Sequence, residues 1–167
     1  MRLIVNVLCL CFCLYFFNCQ AQLARNKLVS WEASKVGIRE ATNHNDGPFV
    51  ARILLNVGLK EGYEWCSAFQ SYAYDTFHLH GAHSAWAPAW FTNQHIIYIR
   101  GQFNGNPLPG DLVGFWYGSR IGHVGMLEYI GSNYYRTIEG NYGAIGGVYR
   151  VYRPKWQIYA ITNWIDK

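Results

Sequence analysis

Apolar residues recur at helical spacing in the first half of the chain and tend to alternate in short runs in the second. In residues 24–37, Leu28, Trp31 and Val36 share a broad face with the small Ala24 and Ala33. Gly37 stands where a C-terminal cap belongs, so an amphipathic helix is expected there. A polar loop runs from Arg39 to Gly47. Pro48 then opens a second, short helix with the stripe Phe49, Val50, Ile53, Leu54 and Val57, and Gly58 ends it. A central helix is expected over residues 66–80, where Phe69, Tyr72, Ala73 and Phe77 repeat and Gly81 is the stop. Residues 84–100 predict a loop and one short helix near 88–98.

The pattern changes after the turn Pro107-Leu108-Pro109-Gly110-Asp111. Residues 112–117, 122–129, 134–139, 147–152 and 156–164 read as strands, the second and third joined by the hairpin turn Ile130-Gly131-Ser132-Asn133. Helices followed by a run of short strands give an α+β class, with an antiparallel sheet or half-barrel of about five strands. The length of the hairpin turn sets Gly122-His123 opposite Ile138-Glu139.

The N-terminus does not fit this scheme. Residues 3–17 are nearly all apolar behind Arg2, yet the run falls short of the ~20 residues a membrane span needs. Cys19-Gln20-Ala21 offers small side chains at the first and third positions of a cleavage site. Residues 1–21 are therefore expected to be a signal peptide, and residues 22–167 a single domain with Gln22 as its start. Lipidation at Cys19 is the lesser alternative, because Phe16-Phe17-Asn18 is bulky where a lipobox wants small residues. The expected location is periplasmic or extracellular, with no integral span once the leader is gone.

Composition narrows the partners. Half of the 167 residues are apolar, enough for one domain with a core of its own. The net charge of +4 is mild. It suits an anionic surface such as a cell wall, and without a basic stripe it does not suit nucleic acid. A monomer is expected. Four of the five cysteines lie in the expected leader, so the mature chain keeps Cys66 alone and forms no internal disulfide.

Cys66 falls in the first turn of the central helix, where free amides and the helix dipole favour a thiolate. A thiol nucleophile needs a base and a group to orient that base. Of six histidines, His123 alone lies within a strand and between small residues, Gly122 and Gly125. His44 sits in a loop, His95 in the irregular region, and His78, His80 and His83 cluster at a helix end. Their spacing matches no structural zinc site, so no metal and no cofactor are expected. Glu139 or Asn141, at the end of the neighbouring strand, would accept the imidazole N–H. Tyr63, Trp65, Trp86 and Asp46 are candidates for substrate contact, Tyr63 also for a second oxyanion donor. Trp90, Tyr117, Tyr142 and Tyr149 are further candidates for a groove, although aromatics at this density more often fill a core. Loop acids such as Asp46 and Glu40 more often cap.

Four segments in this order, Trp65-Cys66-Ser67-Ala68-Phe69, Pro109-Gly110-Asp111-Leu112-Val113, Gly122-His123-Val124-Gly125 and Ile138-Glu139-Gly140-Asn141, resemble the signatures of the CHAP family, the cysteine, histidine-dependent amidohydrolases/peptidases related to NlpC-type cell-wall hydrolases. Gln70 is polar where many members carry an apolar residue. The resemblance implies a papain-like fold and hydrolysis of amide or peptide bonds in peptidoglycan. It makes Cys66 the nucleophile, His123 the base, Glu139 the third member and Asn141 a polar residue completing the site. Two cleavages stay open, the amide joining glycan to stem peptide and a bond within the stem or cross-bridge. A non-catalytic wall-binding module of the same fold is the alternative.

Overall fold

The computed structural model describes residues 2–166, with side chains from residue 18 onward. Helix α1 spans Arg2–Ala33, α2 Pro48–Asn56 and α3 Cys66–Thr76. Seven strands follow: β1 Ile96–Ile99, β2 Gln102–Phe103, β3 Leu112–Trp116, β4 Ile121–Ile130, β5 Tyr134–Tyr142, β6 Gly147–Pro154 and β7 Ala160–Thr162. All pair antiparallel in the order β2-β1-β7-β3-β4-β5-β6, so the chain has the α+β, papain-like arrangement of helices followed by sheet. The leader expected at 1–21 falls mostly on residues whose side chains lie outside the described ones. Among the described residues, no helix is long and apolar enough to cross a membrane.

The helices lie against one face of the sheet. Leu28 of α1, Cys66, Ala73 and Tyr74 of α3, and Leu112, Val124 and Met126 of β3 and β4 form one core cluster. Val50, Ile53 and Leu54 of α2 join Trp65, Ala68 and Phe69 against Ile138 and Val148 in a second. A third, with Ile97, Val113, Phe115, Leu127 and Tyr135, lines the sheet's other face, as strand alternation requires. The helix α3 comes close to β5 because Gly140 has no side chain. A Cβ there would stand 2.7 Å from the Trp65 ring and 2.8 Å from that of Phe69.

Four local readings are corrected. Residues 96–99 form β1 rather than part of a helix, because Ile96-Ile97-Tyr98-Ile99 is β-branched and aromatic and pairs with β7. With the short β2, this makes seven strands of the expected five or so. The segment 156–164 is strand only at β7, since Lys155–Gln157 form a 3-10 turn first. Helix α3 ends at Thr76, four residues early, where the chain reaches His78 in a left-handed conformation (φ 54°). The β4–β5 register sets Met126 opposite Ile138, not Gly122-His123, because both strands run back from the turn with a bulge between Leu127 and Tyr129.

Candidate active site

Cys66 is the first residue of α3 and is 4% exposed. Phe69 N–H donates to the Trp65 carbonyl (2.8 Å), so the amides of the first turn before it have no partner within the helix and face outward at its positive end. Ser67 fixes the rest of the turn. Its hydroxyl donates to the Ser84 carbonyl (2.6 Å) and accepts from Trp90 Nε1 (3.0 Å), tying α3 to the segment that follows it.

His123 comes from β4 and is buried. Its Nε2 donates to Glu139 Oε2 at 2.8 Å, which leaves Nδ1 for the thiol. Burial alone would lower the His123 pKa. The charge of the Cys66 thiolate and a hydrogen bond with it, then Glu139, overcome this and push it up to about 10.

Glu139 reaches His123 diagonally across the ladder. Its side chain lies over Gly125, where a Cβ would stand 2.6 Å from Glu139 Cγ. The glycine after the histidine is therefore the space through which the carboxylate passes. Arg153 of β6 grips Glu139 with two bonds, Nε to Oε1 at 2.8 Å and Nη2 to Oε2 at 2.6 Å, and Thr137 Oγ1 donates to Oε1 at 2.6 Å. Burial would raise the Glu139 pKa, but hydrogen bonds from Arg153 and His123 hold it down at about 2. It stays a carboxylate that accepts four hydrogen bonds. Arg153 in turn lies over the rings of Phe115 (4.4 Å) and Tyr142 (4.7 Å).

Three rings surround His123: Phe115 at 5.5 Å, Tyr142 at 6.1 Å and Tyr117, parallel, at 6.4 Å. Gly122 makes room for Tyr117, since a Cβ there would fall 2.5 Å from that ring.

The other anticipated residues divide. Asn141 makes its bond to the loop before the nucleophile. In a left-handed conformation at the bulge after Glu139, it donates its side-chain amide to Glu64 there. Trp65 is not at a groove. It is fully buried, and its Nε1 donates to Glu40 Oε1 at 2.8 Å. It packs between α2, α3 and Ile138 of β5. Asp46 caps its own loop, accepting from the Thr42 amide (2.9 Å) and hydroxyl (2.6 Å), and these bonds lower its pKa. Tyr63 is exposed in the loop ahead of α3. Trp86 is 60% exposed and precedes Ala87, which packs in the same cluster as Cys66. His83 pairs with Asp75 at 2.8 Å, and among the described residues no three His, Cys, Asp or Glu side chains are grouped to hold a metal ion. Arg153 and Thr137 carry no sequence signal for the site. Only the register of β6 against β5 brings Arg153 to it.

No curated protein and no solved structure matches the chain. The profile of the CHAP domain matches residues 58–141, half of the chain, an interval that holds Cys66, His123 and Glu139. Motif order, helices ahead of an antiparallel sheet, and that match agree, so the chain belongs to the CHAP family, whose domains are in general cysteine- and histidine-dependent amidohydrolases or peptidases of cell-wall peptidoglycan.

Proposed function

We propose that this chain is an exported cysteine hydrolase that cleaves amide or peptide bonds of peptidoglycan, with Cys66 as nucleophile, His123 as acid and base, and Glu139 as its positioning residue. The observation that carries this reading is the series Cys66–His123–Glu139, buried throughout and gripped from its outer side by the half-buried Arg153.

The Cys66 thiolate attacks the carbonyl carbon, and the oxyanion that forms accepts from the Cys66 backbone amide at the start of α3. One such donor is typically worth ~3 kcal/mol of transition-state stabilisation. The C–N bond then breaks, and His123 Nδ1–H gives its proton to the departing amine. A thioester on Cys66 remains. Neutral His123 takes a proton from water, whose oxygen attacks the thioester. The C–S bond breaks, the acid leaves, and the thiolate–imidazolium pair is restored. Glu139 keeps the tautomer throughout, and Arg153 with Thr137 keeps Glu139 ionised and in place. Asn141, by holding Glu64, steadies the loop that leads into the nucleophile helix.

The test is incubation of the protein from Gln22 onward, and of its Cys66→Ala variant, with purified peptidoglycan, with products read by mass spectrometry. Intact stem peptides released from glycan mark the amidase, and shortened stems mark the endopeptidase. The variant is expected to give neither. Equal product from both proteins overturns the assignment.

A further inference from the structure

A cleft of about 510 Å³ opens beside the site, on β3 and the chain around β7. Its inner end is made of Phe115, Tyr117 and Arg153, the groups that touch His123 and Glu139. Its outer part carries Trp116, stacked on Tyr159 at 4.5 Å, and Trp156, which is 81% exposed. Arg100 closes the rim, its guanidinium 4.8 Å from the Tyr159 ring centre and 5.5 Å from that of Trp116. Among the described residues no carboxylate lines the cleft.

Two features mark it as built for a ligand. Large aromatic rings standing in solvent forgo burial, and here Tyr117 and Trp156 stand so on one concave surface with Trp116 half-covered between them. Arg100 and Gly101 turn the β1–β2 hairpin with φ of 46° and 87°. Such turns favour asparagine or glycine at the first position. An arginine held there by stacking presents its donors to the cleft at a cost in backbone conformation that the fold alone does not require.

The lining selects among ligands. A pyranose ring offers a face of C–H groups that lies flat on an aromatic ring, and its hydroxyl and acetamido oxygens accept from guanidinium and amide N–H groups. Arg100 and Gln157 supply those donors. A stem peptide's carboxylates would pair with the arginines alone and would leave the rings of Trp116 and Trp156 without a flat C–H face to cover them, so the rings decide for the sugar. We propose that this cleft is a subsite for the glycan strand, seating β-1,4-linked N-acetylated amino sugars on Trp156 and Trp116. This rests on the peptidoglycan reading above and deepens it. With sugar against Phe115 and Tyr117, the bond presented to Cys66 is the amide that joins the glycan to its stem.

The test uses the Cys66→Ala protein, so that it does not depend on hydrolysis. Titration with chitotetraose, a peptide-free N-acetylated amino sugar, is followed by tryptophan fluorescence and calorimetry, beside a sugar-free stem pentapeptide. Adding Trp156→Ala, or Arg100→Gly, which the turn accepts, should weaken chitotetraose binding at least tenfold and leave the pentapeptide isotherm as it was. Chitotetraose that binds neither parent nor variants, or binds all three equally, overturns the subsite. Loss of pentapeptide binding in Trp156→Ala instead assigns the cleft to the stem and equally overturns it. Failure of Cys66→Ala to abolish hydrolysis would overturn the nucleophile and leave this result standing.

Discussion

His123 is held by one carboxylate on one nitrogen, and what that carboxylate does depends on its charge. Glu139→Gln keeps an acceptor oxygen and removes the charge that helps hold the imidazolium. Against burial, which lowers it, Cys66 and Glu139 hold the His123 pKa up at about 10, so activity that needs the imidazolium should fall above that pH. In Glu139→Gln the falling limb of kcat/KM should move to lower pH, and kcat should drop roughly a hundredfold or more. An unmoved limb would mean that Glu139 serves only packing. At this scale the sequence is partly legible. Cys66 stands out because the expected leader takes every other thiol, and His123 because glycines flank it. Arg153 does not stand out, since fourteen residues separate it from Glu139 and no periodicity joins them. Trp65 misleads for the opposite reason. Adjacency to the nucleophile suggests a substrate wall, while the helix turns the indole inward to Glu40.

Between elements, close approach decides what can meet. Glycines at 122, 125 and 140 let Tyr117, Glu139 and α3 lie directly on the strands. Gly125→Ala is expected to push Glu139 off His123, since the new Cβ would have the Ile138 carbonyl at 3.1 Å as well as Glu139 Cγ at 2.6 Å. A displacement of about 1 Å in such a site costs on the order of a hundredfold in rate. Steady-state kinetics beside circular dichroism would check this, with folded protein of native activity as the contrary result. Elements were readable from the sequence where period and punctuation agree, as in α2 between Pro48 and Gly58. They were not readable where four residues had to speak for a strand, as in β1, nor where a bulge resets the ladder, as in β4 and β5. Periodicity carries no count of bulges, so the diagonal path of Glu139 could only come from the paired backbone.

Across the molecule, Arg25 is the joint. Its guanidinium donates to Asp111 Oδ1 at 2.7 Å, to the Pro109 carbonyl at 3.1 Å and to Asp166 Oδ2 at 2.6 Å. The Pro-Gly-Asp turn thus anchors α1, and Gly110 gives the room, since a Cβ there would meet Arg25 at 3.2 Å. Arg25→Met would strand the fully buried Asp111, and losing one partner of a buried pair costs about 3–5 kcal/mol. Chemical denaturation should show that loss in the midpoint, and a midpoint unchanged from the parent would refute it.

That same arginine clasps the turn before β3 on one side and, through Asp166, the segment after β7 on the other. Such a clasp closes last. Asp166 lies 141 residues from Arg25, so this contact forms only after the sheet between them is in place.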